Sequence, residues 1–133
     1  MTNPIKPPPI QARGLLNGEA IRFDEEERTG VIRYVPRADL LNPAGTVFGG
    51  YLAAMLDDVA GLATWYGCGK RTFSTSNMSV SFLYGVESGE PLIGTARVVS
   101  VGARQAFVSA QLEREVDGEL VTHATMVQVF VGD

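Results

Sequence analysis

Residues 49–67, GGYLAAMLDDVAGLATWYG, hold the one long stretch of helical spacing in the chain. Leu52, Met55, Leu56, Val59 and Leu62 recur at i, i+3, i+4 and i+7, the period of one helix face. Ala53, Ala54, Ala60, Gly61 and Ala63 cover most of the remaining circumference. A helix that is apolar or small on nearly every side is expected to be enclosed rather than to lie on a surface. Gly67 and Gly69 are suited to ending it. Upstream, Glu19–Glu25 and Gly30–Pro36 carry β-branched and aromatic residues around a charged EEER segment and read as a strand pair. Downstream, Ser76–Tyr84 alternates, with Met78, Val80, Phe82 and Tyr84 on one face and Asn77, Ser79 and Ser81 on the other. Pro91–Val101, Gln105–Glu113 and Leu120–Val131 follow as strands, with turns at Gly102-Ala103-Arg104 and Asp117-Gly118. The expected architecture is α+β, one helix packed against one curved antiparallel sheet whose last four strands are joined by short turns.

At 133 residues and 45% hydrophobic content, the chain has the size and apolarity of one folded domain. Residues 1–17 are expected as a Pro-rich tail and 18–133 as the domain. The first nine residues, MTNPIKPPP, contain no apolar run, so neither a signal peptide nor a membrane anchor is expected. Eleven Lys+Arg against fifteen Asp+Glu give a net charge of −4, with the basic residues scattered, so no nucleic-acid surface is expected. One Cys and one His leave little for disulfides, zinc or a nucleophile–imidazole pair. Carboxylates, hydroxyls, amides and backbone N–H groups are the tools that remain. No cofactor or metal is expected, and the lone thiol fits a cytoplasmic setting.

Asp57 and Asp58 are the odd residues of the helix, because aspartate belongs at caps. Successive residues lie about 100° apart around a helix, so the two carboxylates are expected on different surfaces. Asp57 shares a row with the small residues Gly50, Ala53, Ala60 and Thr64, where a ligand or another chain has room to approach. Asp58 shares its row with Ala54, Gly61 and Trp65. Either carboxylate has a plain reading, reaching solvent or pairing with an arginine. The other reading is a general base in an apolar setting. Gly49-Gly50 opens the helix, where free N–H groups and the positive dipole end suit a carbonyl or oxyanion. Asn42, in Asn42-Pro43-Ala44-Gly45, is a turn former by type and a catalytic amide by chemistry.

The run Asn42 to Gly50, NPAGTVFGG, followed by Leu56-Asp57, resembles the N-x-x-G-x-x-H-G-G…D signature of hotdog-fold acyl-CoA thioesterases of the phenylacetate-pathway (PaaI-like) type. Thr75 to Leu83 is similar to that family's T-x-x-x-x-x-x-F-L strand, and the two closing hairpins fit as well. The resemblance covers residues 18–132. It implies a hotdog fold, a curved antiparallel sheet wrapped around one long central helix. It also implies an acyl-CoA substrate and a homodimer or homotetramer. By position, Asp57 would be the catalytic base or nucleophile, and the Gly49 N–H would polarise the thioester carbonyl. Asn42 would position the carbonyl or the water, and Thr75 would assist the water. Phe48 and Gly50 are expected as substrate contacts, and Arg104, in the turn after Gly102, has two readings by its own chemistry, a contact to a CoA phosphate or a solvated turn residue. Phe48 stands where the family usually has His, and Tyr84-Gly85 replaces the Arg-Pro that usually follows Phe-Leu.

Asp57 follows Gly50 by seven residues, a rise of about 10 Å, which is too far for Asp57 and the Gly49 N–H of one chain to share a carbonyl. A working site is therefore expected to combine two subunits. Phe48 motivates an alternative on the same fold, a protein that binds acyl-CoA without hydrolysing it. A hotdog dehydratase would need a histidine on or before the central helix, and there is none. Trp65 and Tyr66 are read as core rim or acyl-pocket lining, Cys68 as packing, and His123 as structural.

Overall fold

The computed structural model describes residues 2–4 and 10–132. They form, in order, β1 (Thr2–Pro4), α1 (Gln11–Leu15), β2 (Gly18–Asp24), β3 (Thr29–Tyr34), α2 (Gly49–Gly67), β4 (Phe73–Phe82), β5 (Leu92–Val101), β6 (Gln105–Arg114) and β7 (Leu120–Phe130). One antiparallel sheet runs β1-β2-β3-β5-β6-β7-β4, with α2 against its inner face. This is the expected hotdog arrangement. The stretch expected as a tail contains two elements, β1 paired to β2 and α1 packed on α2. Pro7–Pro9 lie outside the described residues.

The strand order departs from expectation at one place. β4 lies beyond β7 at the sheet edge and forms no hairpin with β5. Residues 83–91 are not a short turn. The Leu83 N–H bonds the Val121 carbonyl at 2.9 Å, and the Val47 N–H bonds the Val86 carbonyl at 2.7 Å. This path ends β4 at Phe82 and leaves Leu83 and Tyr84 exposed. Register breaks at Ala20/Arg22, Thr75/Asn77 and Val98/Ser100 bend the sheet, since an extra residue on one strand increases local twist.

Leu52, Met55, Leu56, Val59 and Leu62 are all buried, as the helical spacing requires. They meet inner-face residues including Ile32, Leu92, Val108, Leu112 and Met126. The helix is not enclosed on every side, however. A stripe through Ala54, Asp57, Gly61 and Trp65 points away from the sheet and stays open, because α1 and β4 flank it without covering it. Among the described residues, no helix is long and apolar enough to cross a membrane.

Tyr34 spans the layer between sheet and helix. Its ring passes between two glycines on the strands to either side of β3. A Cβ on Gly18 would come within 2.7 Å of one ring edge, and one on Gly94 within 2.8 Å of the other. The ring is fully buried and has no room to yield. Gly94→Ala is therefore expected to cost about 1–3 kcal/mol through overpacking, read as a lower urea midpoint at unchanged slope.

Candidate active site

The open stripe of α2 is the floor of a cleft of roughly 740 Å³, with α1 as one wall and the start of β4 as the other. Asp57 and Asp58 both line it, although they leave the helix in different directions. The cleft is wide enough to take in both directions, so the two carboxylates share a surface after all, facing opposite walls.

Toward α1, Asp58 is held on all sides. The Arg13 guanidinium donates to its two oxygens, from Nε at 3.1 Å to each and from Nη2 at 3.0 Å to Oδ1. The Tyr34 hydroxyl donates to Oδ2 at 2.7 Å and also lies 3.0 Å from the Met55 carbonyl oxygen. The Arg13 and Asp58 side chains are only 9% and 7% exposed. A carboxylate this buried persists because a guanidinium and a hydroxyl donate to it. Of the plain readings, Asp58 takes the arginine pair. Arg13 lies 45 residues upstream, inside the expected tail, so no local spacing pairs the two.

Toward β4, Asp57 is exposed and accepts a 2.9 Å hydrogen bond from the Thr75 hydroxyl on Oδ1. The bulge in β4 makes this contact possible. Strict alternation puts Thr75 on the face of Asn77 and Ser79, away from Met78. With an extra residue between Thr75 and Asn77, both Thr75 and Met78 turn inward. Beside Thr75 in register stands Gln128 of β7, fully buried, with neither carboxamide atom hydrogen-bonded among the described residues. Sequence reasoning passed over Gln128, although its parity with Ala124, Met126 and Phe130 places it on the inner face.

Two rings bracket the start of α2. A Cβ on Gly50 would fall 2.7 Å from the Phe48 ring, and one on Gly49 3.4 Å from the Phe82 ring. Both rings remain half exposed, Phe48 at 54% and Phe82 at 52%. Gly49 is the first helical residue, so its N–H lies outside the helix ladder. Asn42 is largely spent in its own turn. Its Oδ1 accepts the Ala44 and Thr46 N–H groups at 3.0 and 3.1 Å, and its Nδ2 donates to Thr46 Oγ1 at 2.8 Å.

Within one chain, then, Asp57 and Thr75 come together, and Phe48, Gly49 and Gly50 form a separate group one side of them. Arg104 stands apart, exposed in the β5–β6 turn. Trp65 and Tyr66 both line the cleft. His123 hydrogen-bonds Ser109 at 3.2 Å, and burial pushes the Cys68 thiol up.

The thioesterase superfamily model matches residues 44–121, more than half of the chain. Acyl-coenzyme A thioesterase THEM4 of Xenopus laevis is 30% identical over 77% of this chain and 46% of its own length. An uncharacterized acyl-CoA thioester hydrolase of Zymomonas mobilis is 33% identical over 74% of this chain and 66% of its own. The chain thus spans about half the length of the frog relative and two thirds of the bacterial one. Among solved structures, a phenylacetic acid degradation-related protein of Ralstonia eutropha JMP134 superposes with a TM-score of 0.85 at 34% identity, covering 92% of both chains. The PaaI protein of E. coli superposes with a TM-score of 0.81 at 20% identity, covering 92% of this chain and 86% of that one, and shows the shared fold.

Two measurements check the Asp58 cluster. Asp58→Ala leaves the Arg13 charge buried without its partner and is expected to cost about 3–5 kcal/mol of unfolding free energy. Burial, then the neighbouring Asp58 carboxylate, push the Tyr34 hydroxyl well above the usual tyrosine value of 10.0. Above that pH the unfolded chain sheds this proton and the folded chain keeps it, so the stability Tyr34 contributes is full below pH 10 and falls as pH rises. In urea titrations the wild-type advantage over Tyr34→Phe, about 1 kcal/mol at pH 8, is expected to shrink at pH 10.5.

Proposed function

The chain belongs to the thioesterase superfamily, and from that premise we propose that it hydrolyses an acyl-CoA thioester, with Asp57 as the catalytic carboxylate. The observation that carries this reading is the Thr75–Asp57 hydrogen bond at the edge of an apolar cleft. With Oδ1 occupied by the Thr75 hydroxyl, Oδ2 is the oxygen left to take a proton from water. Water adds to the thioester carbonyl, the C–S bond breaks, and the proton held by Asp57 passes to the departing sulfur. The products are a free acid and CoA. Direct attack by Asp57 on the carbonyl is the alternative role for the same side chain. The names of the relatives, acyl-CoA thioesterase and acyl-CoA thioester hydrolase, support the substrate class.

The carbonyl needs a donor, and the Gly49 N–H at the start of α2 is suited to it. Eight residues along α2 separate it from Asp57, about 12 Å of rise, so the donor comes from a second subunit. A homodimer, alone or paired into a homotetramer, is thus part of the proposal. Asn42 keeps one Nδ2 proton for carbonyl or water, and its main contribution is the turn that delivers Phe48 and Gly49. Phe48 and Gly50 would border the bound thioester, and Arg104 would reach a CoA phosphate. A cytoplasmic setting rests on the single buried thiol. The second reading, acyl-CoA binding without turnover, draws on the Phe48 ring beside the helix start.

Release of free CoA from a thioester panel tests the assignment. Asp57→Ala is expected to lower kcat/KM by about 10²–10⁴, and full retention of rate would remove Asp57 from the reaction. Tight binding with no turnover by the wild type would favour the second reading. Gly49→Pro deletes the N–H at a helix position that accepts proline, after a Phe48 already extended at φ −57° and ψ 131°. It is expected to cost about 10²–10³ in kcat. Reassembling Asp57→Ala with Gly49→Pro subunits should recover about a quarter of the wild-type sites if each dimer site uses both chains.

A further inference from the structure

The wall of the cleft formed by α1 has no role in the hydrolytic step, yet it is fixed in place more firmly than a five-residue helix can be by itself. Arg13 ties it to Asp58, and the Tyr51 hydroxyl donates to the Leu16 carbonyl at 3.1 Å, binding the end of α1 to the first turn of α2. Apart from Arg13, which pairs with Asp58, what this fixed wall presents to the cleft is apolar. Ile10, Leu15 and Leu16 face Trp65, Tyr66 and Phe73 across the floor. Leu15 is 64% exposed and has little packing of its own to satisfy.

We propose that this cleft holds the acyl chain of the thioester, lying from Asp57 toward Trp65, and that Leu15 sets the length it accepts. The inference rests on the hydrolase reading and goes beyond it to the class of acyl group. The catalytic pair marks where the carbonyl lies, at one side of the lining. From there to Trp65 is eight residues of helix, about 12 Å, which matches an extended chain of about eight to ten carbons. Of the three charged lining residues, Arg13 of α1 and Asp58 of α2 neutralise each other, and Asp57 is the third. Beyond Asp57, an uncharged chain therefore meets apolar surface and no unpaired charge among the lining residues. A second carboxylate on the acyl group would find no free cation among the lining residues. The cleft volume lies within the usual range for a small-molecule site.

A straight-chain acyl-CoA series from two to sixteen carbons tests this with the full chain, its Leu15→Phe and Leu15→Ala variants, and Asp57→Ala. Wild-type kcat/KM is expected to climb severalfold per added methylene to an optimum at about eight to ten carbons. Leu15→Phe should move the optimum to shorter chains and cut the longest substrates by about tenfold or more. Leu15→Ala should move it the other way, with the acetyl rate near wild type in both. Trp65, the one tryptophan in the chain, gives a reading free of turnover. Titration with an S-decyl-CoA thioether is expected to change its fluorescence saturably in wild type and in Asp57→Ala, and more weakly in Leu15→Phe. Turnover with a length profile unmoved by either Leu15 variant, or with a flat Trp65 signal, would overturn the inference and leave the hydrolase reading intact. If no thioester is cleaved, the hydrolase reading fails. The thioether titration then decides alone whether the cleft takes an acyl chain.

Discussion

A single buried carboxylate, Asp58, ties the layers of this protein together. It sits in the middle of the central helix, where an aspartate has no helical reason to be. The chain meets its demand for partners from two directions. From the sheet side, the Tyr34 hydroxyl rises between two glycines to reach it. From outside, Arg13 closes over it and brings α1 along. Removing any one of the three costs a buried polar group one of its hydrogen-bond partners. Since α1 forms a wall of the cleft, the cluster also shapes the space where a ligand is proposed to bind.

Its neighbour Asp57 differs by one position in sequence and is treated in the opposite way. One step around the helix turns it from α1 toward β4, where among the described residues it pairs with no cation and accepts from the Thr75 hydroxyl. Asp58 has its oxygens taken up by arginine and tyrosine, whereas Asp57, among the described residues, accepts one hydrogen bond and borders an apolar cleft, where the proposed reaction needs a carboxylate. Two adjacent aspartates thus divide into an anchor and the carboxylate proposed to react.

Glycine has a specific use at each of the remaining key positions. Gly18 and Gly94 make room for the Tyr34 ring, and Gly50 makes room for Phe48. Gly49 leaves an N–H at the helix start on a different part of α2 from Asp57. The distance between them is a property of any α-helix, so no local adjustment brings them onto one carbonyl. That constraint is what makes a second subunit part of the proposed chemistry.

Much of this was legible in the chain itself. The apolar spacing from Leu52 to Leu62 specifies the central helix and its buried face, and alternation and turn residues specify most strands, because both are local periodicities. Asp57 and the glycine pair stand out as residue types at odds with their surroundings, and Thr75 through the likeness of its strand to the thioesterase pattern. The tertiary structure decided what depends on distant parts of the chain meeting. It placed β4 beside β7, since hydrogen-bonding partners of a strand are not written in its own pattern. It also inserted the bulge that turns Thr75 toward Asp57, against the alternation of the strand. And it gave Asp58 to Arg13 and Tyr34, because a buried charge is matched by whatever partner folding brings within about 3 Å, however far away that partner lies along the chain.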